Sequence, residues 1–139
     1  MLLTPKRWKY RKPIIRQLTG KSPRGTTVAF GEYGLKATTS DYITNKQIES
    51  ARKVIIRHIK KVGKMWIRIF PDVPFTKKGL EMPMGTGKGD VDIYTAPVRK
   101  GKVLFEITGL DRETAHRVLI SASKKLPVKA RVVEKGEIR

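Results

Sequence analysis

Residues 44–63, TNKQIESARKVIIRHIKKVG, constrain the fold most tightly, because one run carries a helix start, a helix face and a helix stop. Thr44 and Gln47 have the spacing of a capping box, in which the threonine hydroxyl accepts from the Gln47 amide and the glutamine side chain reaches back. Ile48, Ala51, Ile55, Ile59 and Val62 recur at steps of three and four, which predicts one buried stripe. Lys46, Lys53, Arg57, Lys60 and Lys61 fall mostly away from it. Gly63 stands where a left-handed C-cap belongs. A second helix is expected after Asp111 as its cap, with Ala115, Val118, Leu119, Ala122 and Leu126 as its stripe and Pro127 as its stop.

Apolar alternation predicts the strands. Between Thr26 and Ala37, Val28, Phe30, Tyr33 and Leu35 read as core, and Gly31 and Gly34 mark a bulge or tight hairpin. In the strand Lys64–Phe70, Met65, Ile67 and Ile69 share one face, and Trp66, Arg68 and Phe70 the other. Val91–Val98 and Lys102–Thr108 read as a hairpin turning at Arg99-Lys100-Gly101, and Val128–Val133 as a last strand. Pro71, Pro74 and Pro83 keep the stretch between them extended and poor in regular hydrogen bonds. With no internal repeat and no dividing linker, the expectation is one α+β domain over residues 26–139. It would hold a mixed or antiparallel sheet with two helices, preceded by a basic arm over residues 1–25.

Charge narrows the partners. Lys and Arg number 31 against 12 Asp and Glu, a net charge of +19 that would repel itself unless a polyanion neutralised it. Nucleic acid is the first polyanion to consider and an anionic membrane surface the second. The chain has no cysteine, which excludes disulfides and thiolate metal sites. No apolar run approaches the ~20 residues of a membrane span, and Met1-Leu2-Leu3 is interrupted at once by Thr4-Pro5-Lys6-Arg7, which argues against a signal peptide. A soluble protein of the cytoplasm or an organelle matrix is expected. In the arm, Lys6, Arg7, Lys9, Arg11, Lys12, Arg16, Lys21 and Arg24 precede the first acid, Glu32, with Trp8 and Tyr10 among them. Cations interleaved with aromatics suit phosphate pairing plus stacking on bases or ribose. A solvated tail pinned by its aromatics is the alternative, and a poor use of so many cations without one acid.

Residues 82–90, Met-Pro-Met-Gly-Thr-Gly-Lys-Gly-Asp, read as a flexible glycine finger between the strand-like runs Lys64–Phe70 and Val91–Ala96. Three glycines in alternation hold neither helix nor strand, and loops carried on rigid scaffolds are where function concentrates. A nucleotide-binding P-loop is excluded by spacing, since its first glycine would be Met82 and its hydroxyl position is Gly89. The dinucleotide fingerprint fails at Asp90. His58 and His116 fall in different helices without a nucleophile pattern, and Asp90 with Asp92 is too small a set for a metal. No enzyme, metal site or cofactor is expected.

Several motifs in order carry a resemblance. They are Pro5-Lys6-Arg7-x-Lys9-Tyr10-Arg11-Lys12, Phe30-Gly31-x-Tyr33-Gly34-Leu35, Ile43-Thr44-x-x-Gln47-Ile48-Glu49-x-Ala51-Arg52, Gly63-Lys64-x-Trp66-Ile67-Arg68-Ile69-Phe70-Pro71, Met84-Gly85-x-Gly87-Lys88-Gly89 and Gly101-Lys102-Val103-Leu104-Phe105-Glu106, with Leu126-Pro127-Val128-Lys129 near the end. Together they resemble the bacterial large-subunit ribosomal protein L-sixteen family (universal uL-sixteen) over nearly the whole chain. The resemblance implies an α+β domain of hammerhead type bound to 23S-type rRNA below the central protuberance, near the peptidyl-transferase centre. It implies contact with the elbow and acceptor regions of A-site and P-site tRNA, a late role in subunit assembly, and neighbouring ribosomal proteins as partners. Neither a membrane nor a homo-oligomer is expected. The candidate rRNA-binding residues are Lys6, Arg7, Trp8, Lys9, Tyr10, Arg11, Lys12, Arg16, Arg24, Lys64 and Arg68, and the candidate tRNA-binding residues are Met84, Gly85, Gly87, Lys88 and Gly89. Two departures stand out. Pro13-Ile14-Ile15-Arg16-Gln17 replaces the family's His-Lys/Arg-Gly-Arg run, and Pro83 replaces an arginine that a ribosomal oxygenase modifies in some bacteria. The rival reading is a free-standing basic RNA-binding chaperone. The expected location is the ribosome of the cytoplasm, or of an organelle that encodes its own copy.

Overall fold

The computed structural model describes residues 4–10, 12–81, 84, 85 and 87–137. The first helix, α1 (Asn45–Ile59), starts as its sequence requires. The Thr44 hydroxyl accepts from the Gln47 amide at 3.2 Å, and the Gln47 side chain accepts from the Thr44 amide at 2.9 Å. Ile48, Ala51, Ile55 and Ile59 are buried along one face. The expected end is different. The helix stops at Ile59, where Lys60 takes a positive φ of 53° and its amide bonds back to the Ile56 carbonyl at 3.0 Å. Val62, expected in the buried stripe, is 80% exposed. The second helix, α2 (Arg112–Ser123), is capped by Asp111 and buries Ala115, Val118, Leu119 and Ala122. It ends short of Pro127, leaving Leu126 half-buried in the turn that follows.

The α+β class holds, with the strands divided between two antiparallel sheets. One comprises β1 (Tyr33–Ala37), β3 (Lys64–Ile67), β6 (Val103–Thr108) and β7 (Ala130–Glu134) in the order β3-β6-β1-β7. The other comprises β2 (Asp41–Thr44), β4 (Val73–Lys77) and β5 (Asp90–Val98) in the order β2-β5-β4. The expected hairpin of residues 91–108 is therefore absent: β5 and β6 belong to different sheets, and the chain crosses between them at residues 99–102. Gly101 makes that corner with a φ of 96°, its amide donating to the Ala37 carbonyl at 2.7 Å. Two strands went unforeseen. β2 is too short to show a period, and β4 contains Pro74, which an outer strand accommodates because no ladder bond is lost there. The run from Thr26 to Glu32 forms no strand; alternation resumes as structure only at Tyr33.

The registers Met65↔Ile107, Ile67↔Phe105, Leu35↔Phe105 and Leu35↔Val132 set these side chains on one face of the larger sheet. That face, α1, α2 and the inner residues Ile43, Ala96 and Val98 of the smaller sheet build one continuous core. Gly63 serves packing and not a cap. A Cβ there would lie 2.2 Å from the Thr108 carbonyl oxygen and 2.9 Å from the Ile59 side chain. Replacing Gly63 with Ala should therefore cost about 1–3 kcal/mol through overpacking, read as a lower urea midpoint. An unchanged midpoint would mean that residues 63 and 108 do not need their close approach.

Candidate nucleic-acid interface

The second face of the larger sheet is organised by one carboxylate. The registers Trp66↔Glu106, Gly34↔Glu106 and Gly34↔Val133 form a row across all four strands, turned away from the helices. Glu106 is fully buried in that row. Its Oε1 accepts from the amides of Ala29, Phe30 and Gly31 at 2.7, 2.9 and 3.2 Å, and its Oε2 accepts from the Arg68 guanidinium in an ion pair. Burial by itself would push this carboxyl up, but the guanidinium and the amides outweigh it and hold the group below its ordinary value. Residues 28–31 can lie this close because Gly31 and Gly34 lack side chains. A Cβ on Gly34 would stand 2.8 Å from the Val28 side chain, and one on Gly31 2.6 Å from the Ile107 carbonyl.

Strapped down in this way, Phe30 is directed outward and is 59% exposed, against its expected place in the core. Its ring stacks on Trp66, with centroids 6.2 Å apart and planes at 24°, and the Arg68 guanidinium carbon lies 4.9 Å from its centre. Trp66 and Arg68 do occupy the face opposite Met65 and Ile67, as alternation predicted. The finding beyond the sequence is that Arg68 is paired within the chain. Alongside runs a groove of about 570 Å³, bounded on the helix side by Arg52 and Ile56. Lys64 is exposed at the start of β3.

The arm runs along the smaller sheet without regular structure of its own, apart from an isolated bridge between Lys21 and Lys100. Trp8 meets Tyr94 edge-on at 5.8 Å, the Tyr42 hydroxyl donates to the Arg16 carbonyl, and the Ser22 amide donates to the Lys100 carbonyl at 3.0 Å. Trp8 thus anchors the arm while most of its cations face outward: Lys6, Arg7, Lys9, Arg16 and Arg24 are exposed, and so is Tyr10, with the Lys9 ammonium 5.6 Å from its ring centre. Arg11 lies outside the described residues. Where the arm reaches the crossing between sheets, Lys21, Lys36 and Lys100 line a second groove of about 390 Å³. Burial, followed by the Arg131 charge, lowers the pKa of Lys36. Lys36 and Lys100 were not singled out in the sequence. The available signal was that Lys36 alternates away from Leu35, which marks it as a cation on the second face.

The finger joins β4 to β5, so its near strand is not the Lys64–Phe70 run. Gly85 and Gly87 take φ values of 126° and 99° in open space, whereas Gly89 sits tightly at the base, where a Cβ would lie 2.8 Å from the Lys77 carbonyl. Met84 is 99% exposed; Met82, Pro83 and Thr86 lie outside the described residues. Arm and finger clasp each other. Lys88 donates to the Pro13 and Lys12 carbonyls at 2.8 and 3.5 Å, and Lys12 donates to the Lys88 carbonyl at 3.3 Å and stands 3.7 Å from Asp90. Among the described residues no three His, Cys, Asp or Glu side chains gather as a metal site, and no helix is long and apolar enough to cross a membrane. His58 is exposed on α1, and His116 packs edge-on to Tyr33 at 6.0 Å.

The Glu106 network generates a stability prediction. Replacing Arg68 with Ala leaves a buried carboxylate without its cation and should cost about 3–5 kcal/mol. Because the folded carboxyl lies below its ordinary value of 4.5, its contribution is complete above that pH and is lost as pH falls through the lower folded value. Glu106→Gln should therefore lower the urea midpoint at neutral pH and flatten the acid limb of stability against pH. A variant with the wild-type acid limb would remove Glu106 from the linkage.

The sequence matches the family described as ribosomal protein L16p/L10e over residues 5–133. It is 49% identical over 138 residues to the large ribosomal subunit protein uL16 of Borrelia recurrentis, covering 99% of this chain and 100% of that protein. The proteins of the same name from Staphylococcus haemolyticus and Staphylococcus aureus are each 50% identical over 137 residues, covering 99% of this chain and 95% of theirs. The chain belongs to the ribosomal protein L16p/L10e family, and it is a structural protein rather than an enzyme.

Proposed function

We propose that the chain is a structural constituent of the large ribosomal subunit in the cytoplasm, bound to large-subunit rRNA beside other ribosomal proteins and touching tRNA in the A and P sites. The observation that carries this reading is the continuity of arm and finger: one cationic segment lies along the smaller sheet and holds the glycine finger at the end of the β4–β5 hairpin. Lys6, Arg7, Lys9, Lys12, Arg16 and Arg24 pair with rRNA phosphates, Trp8 pins the arm to the sheet, and Tyr10 stacks. Arg11 and Lys64 add charge. Arg68 acts mainly through Glu106 and offers RNA a guanidinium face and not a free cation.

In this reading the finger does its work by exchange. Lys88 gives up the arm carbonyls for a tRNA or rRNA phosphate, Gly85, Gly87 and Gly89 allow the backbone to come close to the nucleic acid, and Met84 packs against ribose or base. With Pro83 in place of the family's arginine, one cationic contact and the oxygenase substrate are lost. The rival, a free-standing RNA chaperone, predicts protein in excess over subunits. In sucrose gradients the chain should comigrate with large subunits in equal stoichiometry, and a large ribosome-free pool would favour the rival.

Removing residues 1–24 takes away eight cations, so the slope of log affinity against log salt for rRNA fragments should flatten as fewer counterions are released. An unchanged slope would refute the arm's role. Deleting residues 86–89 should leave incorporation into subunits near normal and slow aminoacyl-tRNA accommodation. Normal translation rates with the deletion incorporated would reduce the finger to a connector.

A further inference from the structure

We propose that Phe30, Trp66 and Arg68 form a stacking platform for an unpaired RNA base, a site distinct from the arm and the finger; the proposal rests on the RNA-binding reading. Apolar side chains gathered in one exposed patch mark an interaction site; Phe30, 59% exposed and held by its own backbone amide on the buried Glu106, shares one groove with Trp66 and the 43% exposed Ile56. The backbone that carries the ring is therefore fixed by the carboxylate's shell, and the ring itself rests on Trp66 and Arg68. Phe30 and Trp66 lie nearly parallel, and Arg68 is 4.9 Å from the Phe30 ring centre. The site is a preformed flat surface beside a groove of about 570 Å³, within the size range of small-molecule pockets.

The state of the two arginines indicates a base and not a phosphate. Arg68 is paired with Glu106, and Arg52, on the helix side of the groove, is paired with Glu49, its Nε donating at 2.9 Å. Each guanidinium is oriented by its carboxylate and its charge is compensated, so what it presents is a plane. Planar cations and aromatic rings together stack on bases. Unpaired cations stand nearby. Lys64 shares the Trp66 face two residues earlier on β3, Lys53 and Arg57 are exposed on α1 near Ile56, and Lys60 is exposed just past its end. They supply the phosphate pairing that a nucleotide on the platform requires, and that excess of positive charge favours RNA over an apolar protein partner. Splayed single-stranded bases fit such a surface, whereas bases inside a duplex are already stacked and paired.

The test compares a fluorescein-labelled oligoadenylate with a blunt RNA duplex of equal phosphate number, using the full chain and its Phe30→Leu and Phe30→Tyr variants. Leucine keeps the backbone amide and the apolar character but removes the ring. Phe30→Leu should weaken oligoadenylate binding roughly 10-fold, with duplex affinity and the thermal unfolding midpoint unchanged, and Phe30→Tyr should bind as the wild type does. Equal losses on both RNAs, or no loss on either, overturn the platform while leaving RNA binding by the arm intact. Unchanged oligoadenylate binding combined with poor retention in large subunits assigns the surface to a protein neighbour and also overturns it. A wild-type chain that binds neither RNA overturns this proposal and the functional reading together.

Discussion

A carboxylate without contact to water is the interaction on which the larger sheet depends. A buried charge is costly unless its partners are complete, and Glu106 has four: three successive amides and a guanidinium. The amides belong to a segment that makes no strand of its own, so the carboxylate takes the place of a ladder for residues 29–31. It also closes the face of the sheet that the helices leave open. With both sides covered, Val103 to Ile107 are all buried and β6 is a middle strand, flanked by β3 and β1. A hydrophobic residue at position 106 could cover the same area but could not hold three amides, and the outward aim of Phe30 follows from those bonds.

The division of labour between the two faces follows from the same geometry. Helices on one side require apolar rows at Met65, Ile67, Leu35, Phe105 and Ile107, and those rows meet the smaller sheet through Ile43, Ala96 and Val98. The opposite side holds Gly34, the Glu106 carboxylate and the buried Val28, Val103 and Val133, with Phe30, Trp66 and Arg68 beside them. Several acids are taken up by pairing within the chain, Glu106 with Arg68 in the interior and Glu49 with Arg52, Glu134 with Arg112 and Glu137 with Arg131 nearer the surface. What remains at the surface is strongly cationic. Such a surface repels itself and gains from a polyanion.

The clasp between arm and finger is a different kind of contact. Two lysines meet through main-chain carbonyls, each ammonium donating to the backbone beside the other, with Asp90 fully exposed at 3.7 Å from Lys12. Exposed bonds of this kind contribute little to stability and can exchange for better acceptors. Phosphate oxygens are such acceptors, because charge-assisted bonds to them are shorter and stronger than bonds to neutral carbonyls. The arm can therefore lie ordered against the sheet and still be available to a nucleic acid.

Both helices, the capping box at Thr44, the Asp111 cap and the α+β class were legible in the sequence, as were the basic arm and the face shared by Trp66 and Arg68. These features obey local rules, with partners three or four residues apart or alternating along one strand. Residues 91–108 show where local rules stop. Alternation reveals which side chains share a face but carries no information about which strand lies alongside, so two strands of different sheets looked like a hairpin. Gly63 was mistaken for a cap for a related reason: a glycine required by a close approach of residue 108 looks the same in sequence as one required by φ. Lys60 bends the chain instead. Local alternation puts Phe30 inside and leaves Arg68 to RNA, because Glu106 reaches across 75 to 77 positions to the amides that turn Phe30 outward and across 38 to Arg68. The sequence by itself determined the two helices, most of their buried stripes and the net charge of +19 that calls for a polyanion. The tertiary structure alone decided the pairing of strands, the strap over the second face and the clasp on the finger, since each depends on groups brought together only when the chain has folded.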